Sequence, residues 1–454
     1  MSINLTYLVI ISLLVMVFIA TRNIKSSEKE YFVLNKSEKT FGLTMSFYAS
    51  GMGLWILTSP AEVAWYGLGY DIYGYALSAA TPFILIYIFG PRISKLLPGG
   101  VTLAQFIEKK YGSFAQKIVS IVAIIYMSAF LIAEFASISF LFESISDVSG
   151  IVVSSLVAAT TFLYLNKSGF KASYVTDKIQ GIGIILLLTL LFGLWFSQNS
   201  FDEITNFANL GGLSTFETYS LKSALAVVIA VTAAEIFSTG YWQRTFSAVD
   251  ETTIKKASVY SGLGVFITIL LLGVAGAVGA GKGLETPTLS FIDQLSLNSL
   301  TVLVLISLAT LLVTSSVDTL ENAISSTISI DIVKKGSKEA NNITLGVVVL
   351  ALFASTRVTN IFTVFLVADL FATSLVFPAF YKIKKASKNM MLVVPFSGSL
   401  VSVFLYRYLF IDLQENPGGL FVPTDLYGLA DLNTFAVALL SSVIFTLVMD
   451  KFNK

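Results

Sequence analysis

The 454-residue chain contains no cysteine and no histidine. These absences exclude disulfide bonds, thiolate chemistry, haem ligation by histidine, and zinc sites built from Cys and His. Charged residues are also scarce, at 13% of the chain. Any acid–base chemistry therefore falls to carboxylates, lysine or tyrosine.

Hydrophobic residues are abundant instead, at 55% of the sequence with a mean hydropathy of +0.80. Soluble domains contain about 45–50% apolar residues. Apolar runs long enough to cross a bilayer follow one another along the chain, which predicts an all-α integral membrane protein with about 13 transmembrane helices. The predicted spans are 4–20, 41–67, 74–97, 118–146, 149–165, 172–197, 221–243, 258–280, 300–332, 342–356, 359–381, 390–410 and 433–449.

The basic residues indicate the orientation of these spans. With the N-terminus outside, all of the 29 Lys and Arg residues fall in inside segments except Lys222, Lys282, Arg357 and Arg407. Cytoplasmic loops of membrane proteins carry such an excess of positive charge. The sequence therefore predicts a multi-pass plasma-membrane protein with a cytoplasmic C-terminus. Arg244 is expected at the membrane surface, at the end of the seventh span, in a structural role.

No soluble domain or low-complexity tract interrupts the spans, so residues 1–454 are expected to form one transmembrane domain. The first apolar run lacks a basic start and a cleavage site of the A-x-A type, which favours a retained helix over a signal peptide. The longest extramembrane pieces, 198–220 and 411–432, have room for short interfacial helices.

Acidic residues occur inside the predicted spans, where a charge costs at least about 2.5–3.5 kcal/mol. They are Glu62, Glu134, Asp177, Glu235, Asp318, Glu321 and Asp369. Any one of them is compatible with a hydrogen-bonded structural acid, but together they indicate a polar path through the bundle. Almost no basic residue is expected at the same depth, so a bound cation or a proton is expected to supply the positive charge.

The ninth span carries the polar stretch TSSVDTLENAISST at residues 314–327. Ser315 and Asp318 are three residues apart and share one helix face, with Ser316 alongside. Such hard oxygen ligands suit a small hard cation. The alternative is that Ser and Thr merely allow close helix packing, which is common in membranes.

The second span contains the signals of a broken helix. Gly51 and Gly53 flank Met52, and Pro60 follows. At membrane depth a broken helix is tolerated only where it lines a site or a cavity, because its freed carbonyls need partners. This pattern supports a cation site, although glycine pairs also mark tight packing.

Several segments resemble the sodium:solute symporter family, whose members carry proline, sugars, sialic acid, pantothenate and urea. The segments are YFVLNKSEKTFGLTMSFYASGMGLW, GGVTLAQFIEKKYG, GFKASYVTDKIQG, YWQRTFSA and the polar stretch of the ninth span through SIDIVKK. The resemblance covers most of the chain, residues 31–385. It implies the inverted five-plus-five repeat of the leucine-transporter type, with repeats over 41–197 and 221–381 and accessory helices over 1–20 and 390–449.

The resemblance also implies a sodium ion between the second and ninth spans. Its ligands would be the carbonyls of Ala49, Met52 and Leu312 and the hydroxyls of Ser315 and Ser316. In some family members a second sodium uses the aspartate that corresponds to Asp177, with hydroxyls one turn beyond the serine pair. This sequence departs from that pattern, because Asp318 stands where a serine is expected. Two acids facing one cavity can hold a second sodium or share a proton, so both remain open.

The solute is expected near the midplane, beside the broken helix. The segments GPRISKLLPGGVTL, YWQR and FLVADLFATSLVFP are most similar to the urea-transporter branch. Glu235 and Asp369, without a nearby cation, disfavour an anionic solute. We therefore expect sodium-coupled symport, by alternating access, of a small polar neutral or cationic solute that is urea-, amide- or amine-like.

The expected solute contacts are Trp55, Glu235, Thr319 and Asp369. Each has an ordinary alternative role, packing for Trp55 and Thr319 and structural hydrogen bonding for the two acids. The expected partners are the solute, sodium and the lipid bilayer, and no nucleic acid.

Three other functions stay open at this stage. A proton-coupled transporter of the same fold would use Asp177 and Asp318 as proton sites. A proline-type sodium symporter is less favoured, because Gly51 stands where proline carriers have an aspartate. A membrane sensor is disfavoured by the lack of a cytosolic signalling module. No enzyme is expected, since no nucleophile arrangement of the G-x-S-x-G, His or Cys type is present.

Overall fold

The computed structural model describes residues 3–34, 36–146, 148–334, 336–411, 418–425 and 428–452. Within these ranges the regular elements are helices, and β-pairing is limited to two isolated bridges. Lys335 and Lys454, which contributed to the predicted orientation, lie outside the described residues, as does part of the predicted outer segment 411–432.

The helices follow the predicted apolar runs. They are α1 Ile3–Thr21, α2 Thr40–Gly51, α3 Ser59–Tyr66, α4 Gly69–Leu96, α5 Leu103–Tyr111, α6 Ser113–Ser146, α7 Gly150–Gln198, α8 Phe201–Leu210, α9 Thr218–Glu235, α10 Thr239–Ser247, α11 Glu251–Gly281, α12 Ser299–Thr327, α13 Ser337–Ser355, α14 Ile361–Phe380, α15 Met390–Phe410 and α16 Leu432–Phe452. Short 3₁₀ segments occur at Leu54–Leu57, Pro287–Leu289 and Ile292–Gln294, and α12 continues into a π-helical turn at Ile328–Val333.

In the described part of the chain, nine helices are long and apolar enough to cross a membrane. They are α4, α6, α7, α9, α11, α12 with its π-helical turn, α14, α15 and α16. The prediction of an all-α membrane protein is confirmed. Helices also occupy the predicted spans 4–20, 41–67 and 342–356. The figure of about 13 crossings stays a prediction, because α7 alone contains two predicted spans.

The second predicted span is broken, as its glycines indicate. α2 ends at Gly51, Met52 and Gly53 leave the helical conformation, and Leu54–Leu57 forms a single 3₁₀ turn before α3 begins. Pro60 lies in the first turn of α3, where the missing N–H has no helical partner to lose. Non-helical backbone is therefore present in the segment where a site was predicted.

The 49-residue α7 is divided at Gly169, between the predicted spans 149–165 and 172–197. Gly169 has φ 53° and ψ −138°, a conformation that favours glycine. A Cβ at this position would lie 2.3 Å from the Tyr31 carbonyl oxygen, which accepts a hydrogen bond from the Phe170 N–H at 2.8 Å. The chain before α2 thus packs directly into this break.

α12 lies at the centre of the bundle. Of its most apolar stretch 78% is buried, against 28% for α16, which lies at the periphery and packs with α15. α12 contacts α2, α6, α7, α10 and α13. The polar stretch of the ninth span therefore faces protein rather than lipid.

Two local differences from the predicted spans matter for the site. The seventh span is interrupted after Glu235, and α10 starts again at Thr239. α5 was not predicted; it begins with a capping box in which the Thr102 hydroxyl accepts a hydrogen bond from the Gln105 N–H at 3.1 Å. α8, in turn, occupies the segment 198–220 where a short helix had room to form.

Candidate functional site

The predicted sodium ligands come from two elements that pack against each other in the core. Ala49 and Met52 lie at the break that follows α2, and Leu312, Ser315 and Ser316 lie on α12; all five are buried. The Ala49 carbonyl accepts a hydrogen bond from the Met52 N–H at 3.2 Å. The structure thus brings both groups of predicted ligands to one region of the bundle.

The two serines point toward different neighbours. Ser315 donates a hydrogen bond to Asp177 Oδ1 on α7 at 3.2 Å. The Ser316 hydroxyl instead lies beside the carboxyl group of Glu134 on α6. This divergence follows from helix geometry, because adjacent residues on a helix are about 100° apart.

The region suits a sodium ion by its donor chemistry. Carbonyl and hydroxyl oxygens are ligands for hard cations. In the described part of the chain, Glu134 Oε1 is buried without a hydrogen-bond partner, so an oxygen with unused acceptor capacity lies next to Ser316. The sodium assignment itself stays a prediction.

Asp177 has a counter-ion within the protein. Arg244 Nη2 lies 2.5 Å from Asp177 Oδ2, and both side chains are fully buried. The Ser46 hydroxyl donates to the same carboxylate oxygen at 2.6 Å and accepts from Arg244 Nε at 2.8 Å. The guanidinium thus occupies one side of the carboxylate that the family resemblance assigns to a second sodium.

Arg244 was expected at the end of the seventh span in a structural role, and its side chain is fully buried in the protein and paired with Asp177. For Asp177, a protein cation therefore supplies the positive charge that was expected from a bound ion or a proton. The seventh span is interrupted between α9 and α10. α10 therefore carries Arg244 into the core, where its side chain also donates to the Gly240 carbonyl and the Thr319 hydroxyl, each at 2.8 Å.

Asp318 is enclosed by hydroxyl donors from α7. Tyr164 donates to Oδ2 at 2.5 Å, Ser173 to Oδ1 at 2.8 Å, and the Thr176 hydroxyl lies 3.0 Å from Oδ2. Ser315 and Asp318 thus both face α7, as their spacing predicts. One turn further, Glu321 is buried, and neither of its carboxyl oxygens has a hydrogen-bond partner among the described residues.

A cavity beside the broken helix brings the predicted solute contacts together. Its water-accessible volume is about 30 Å³, and its lining residues include Trp55, Glu235 and Asp369. An adjoining space of about 20 Å³ shares Gly51 and Glu235 with it and reaches Thr319. All four predicted solute contacts therefore line one connected region. The Thr319 hydroxyl also has a partner within the protein, because it accepts a hydrogen bond from Arg244 Nη2.

The cavity wall is mainly aromatic and acidic. Its rings are Trp55, Tyr75, Tyr126, Phe130, Tyr241, Phe362 and Phe365. Within the described ranges, neither Lys nor Arg is among the lining residues, and both Asp369 Oδ2 and Trp55 Nε1 are buried without a hydrogen-bond partner. The site therefore offers an acceptor, a donor and ring faces that are free to meet a solute.

Apart from Trp55, these rings were not predicted to contact the solute. Phe365 is four residues before Asp369 and so shares its helix face, which is a signal that spacing alone provides. On α6, Phe130 has the same four-residue spacing from Tyr126 before it and from Glu134 after it. Tyr75 and Tyr241 carry no such signal, because their partners are distant in the chain.

Comparisons with known proteins show the fold. No family model matches the chain. The chain is 23% identical over 441 residues to the spermidine transporter DUR31 of Candida albicans, which covers 93% of this chain and 84% of that protein.

Two solved structures share its architecture. An outward-open, substrate-bound Na⁺-coupled sialic acid symporter has a TM-score of 0.77, 15% identity and 98% and 97% coverage of the two chains. Mhp1, a nucleobase-cation-symport-1 family transporter in a closed conformation with bromovinylhydantoin bound, has a TM-score of 0.60, 12% identity and 93% and 95% coverage. The predicted leucine-transporter type of fold is confirmed. These relatives are transporters rather than enzymes, in agreement with the prediction.

Proposed function

We propose that the protein is a sodium-coupled symporter of a small polar solute rich in N–H groups, with an organic amine as the favoured member. The observation that carries this proposal is the cavity that combines Glu235 and Asp369 with aromatic walls and, among its described lining residues, neither Lys nor Arg. The proposal includes membership of the sodium:solute symporter family, on the segments given above.

The chemistry of the cavity favours a cation over an anion. A buried carboxylate is costly unless a positive charge or several donors accompany it. Ring faces attract an ammonium group by about 0.5–2 kcal/mol each. A protonated amine offers both the charge and the N–H donors, whereas urea or an amide offers only the donors. The printed name of the Candida relative, a spermidine transporter, is consistent with an amine.

Sodium coupling is supported by the broken helix and by the Ser316 hydroxyl of α12, which lies beside the carboxyl group that accepts a hydrogen bond from the break. In the proposed cycle, sodium near Ala49 and Ser316 fixes α12 against the break and completes the solute cavity. Rocking of the two halves, over 41–197 and 221–381, then exposes both sites to the other side of the membrane. Coupling requires only that sodium and solute stabilise the same state. We retain the plasma membrane, with the N-terminus outside and the C-terminus cytoplasmic, as part of this proposal.

The test is uptake into proteoliposomes that contain the purified protein. Labelled spermidine, a monoamine, urea and proline are supplied with and without an inward sodium gradient, and Ser316→Ala serves as the site variant. We expect sodium-driven accumulation of an amine, saturable and abolished or strongly weakened in Ser316→Ala. Failure of every N–H-rich solute to accumulate under a sodium gradient would contradict the proposal.

A second candidate, proton coupling, is favoured by one observation. Asp177, Asp318 and Glu321 are buried close together, and within the described residues Arg244 is the basic side chain that pairs with this group. Uptake without sodium that increases as the external pH falls, and that Asp318→Asn abolishes, would support proton coupling and exclude the sodium mechanism.

A further inference from the structure

We propose that Glu134 of α6 belongs to the sodium site, where its carboxylate balances the charge of the ion and connects the ion to the solute cavity. This inference rests on the sodium coupling proposed above. The family resemblance implies no role for Glu134. It was predicted only as one of the acidic residues inside the spans.

The carboxyl group of Glu134 contacts the break directly. Glu134 is fully buried, and its Oε2 accepts a hydrogen bond from the Leu54 N–H at 2.8 Å. Its Oε1 lies against Gly53, so closely that a Cβ built on that glycine would be 1.6 Å from it. The Ser316 hydroxyl lies beside the same carboxyl group. Glu134 therefore stands between the break at Met52 and Gly53 and Ser316 of α12.

The predicted sodium site lacks a negative charge. Its ligands offer only neutral oxygens and are Ala49, Met52, Leu312, Ser315 and Ser316. In the described part of the chain, Glu134 takes part in no salt bridge and its Oε1 has no hydrogen-bond partner. An ionised carboxylate in this position needs a cation, and a cation among neutral oxygens is stabilised further by an adjacent carboxylate. Asp177 has no such need, because Arg244 pairs with it.

Glu134 also connects the proposed sodium site to the solute cavity. Leu54, whose N–H is held by Glu134, precedes Trp55, and Trp55 lines the solute cavity. The Trp55 ring also packs edge-on against Phe130, one turn before Glu134 on α6, with the ring centres 6.3 Å apart. An ion held by Oε1 therefore fixes the same carboxyl group that holds the Trp55 segment. Sodium should raise the affinity for solute through this contact, and solute should raise the affinity for sodium by the same factor.

The experiment measures sodium binding directly, without transport. Purified protein in detergent is titrated with NaCl at constant ionic strength, using potassium chloride, and the intrinsic fluorescence of Trp55 and the three other tryptophans is followed. Glu134→Gln removes the charge with little change of shape, and Glu134→Asp keeps the charge but shortens the side chain. Glu143→Gln, an exposed glutamate near the end of the same helix, is the matched control. Ser316→Ala tests the site independently of Glu134.

We expect Glu134→Gln to weaken the sodium affinity at least tenfold, Glu134→Asp to lie between it and the wild type, and Glu143→Gln to stay within twofold of the wild type. In a parallel titration with the transported amine, sodium should increase the solute affinity of the wild type and lose most of this effect in Glu134→Gln.

Three results would overturn the inference, and they are distinguishable. If Ser316→Ala weakens sodium binding while Glu134→Gln binds as the wild type does, the sodium site exists without Glu134. If the wild type itself does not respond to sodium, the proposed sodium coupling fails and the role of Glu134 fails with it. Should Glu134→Gln not fold, Glu134→Asp decides, and an unchanged sodium affinity in that variant overturns the inference.

Discussion

Arg244 and Asp177 form an ion pair that is closed to solvent, with 2.5 Å between Nη2 and Oδ2 and no exposed surface on either side chain. The pair joins α10 to α7, and through Ser46 it also reaches α2. Arg244 donates further to Thr319 on α12. One guanidinium thus links four helices at the level of the proposed sodium site.

Removal of this arginine should be strongly destabilising. Arg244→Gln leaves Asp177 as an unpaired buried charge, a change that costs about 3–5 kcal/mol when one partner of a buried pair is lost. The readout is the apparent melting temperature in detergent. Lys256→Gln, at an exposed lysine on α11, is the control and should change stability by no more than about 0.5 kcal/mol.

A double substitution separates the charge from the packing of Arg244. In Arg244→Gln with Asp177→Asn neither of the two positions carries a charge, so the double variant should be more stable than Arg244→Gln alone. If the two losses simply add, the ion pair does not account for the effect.

The hydroxyl of Tyr164 should contribute more than that of Tyr174, although both tyrosines are buried on α7. Tyr164 donates to Asp318 at 2.5 Å, whereas the Tyr174 hydroxyl has no hydrogen-bond partner among the described residues. A hydrogen bond to a charged group contributes about 1.5–3 kcal/mol, and Tyr164→Phe should lose that amount. Tyr174→Phe should cost less than half as much in the same melting experiment. Equal losses would mean that Asp318 does not depend on Tyr164.

The features of this site that could be predicted are those that depend on residues close together in the sequence. The break at Gly51 and Gly53 follows from residue types, and the common orientation of Ser315 and Asp318 follows from their spacing. Trp55, Glu235 and Asp369 were expected beside the break because they lie inside apolar runs, and the structure does place them around one cavity.

The contacts that could not be predicted are pairings across the bundle. Glu134 and Leu54 are 80 residues apart, and Arg244 and Asp177 are 67 apart, and no periodicity relates such positions. Hydropathy indicates one apolar run over 221–243, whereas the chain turns between α9 and α10, and this turn places Arg244 against Asp177 in the core.

The close approach of Gly53 and Glu134 predicts a specific steric conflict. Gly53→Ala places a methyl group where Glu134 Oε1 lies, so Glu134 must move away from the Leu54 N–H, at a cost of about 1–3 kcal/mol for an overpacked site. Gly193→Ala is the control, because a Cβ there meets no described atom within 4 Å, and alanine should stabilise that helix by about 0.5–1 kcal/mol.

A second substitution shows whether Glu134 is the obstacle. Glu134→Ala provides space for the new methyl group, so Gly53→Ala should be less destabilising in that background than in the wild type. An undiminished loss would indicate that the backbone of the break, or Trp55 Cδ1 at 2.8 Å, is the true constraint.

Substitution of Asp369 tests whether the transported solute carries a positive charge. Asp369→Asn keeps the shape of the cavity but removes one negative charge from its wall, so the KM for a protonated amine should rise at least tenfold, a loss of about 1.4 kcal/mol or more. The KM for a neutral competitor such as urea, if it is transported, should change much less, because it has no charge to pair. The measurement is initial uptake into proteoliposomes across a series of amines and amides, with Asp202→Asn on the exposed surface of α8 as the matched control. Equal effects on charged and neutral solutes would show that Asp369 supports the cavity without contacting a cation, and would leave Glu235 as the remaining acidic candidate in its wall.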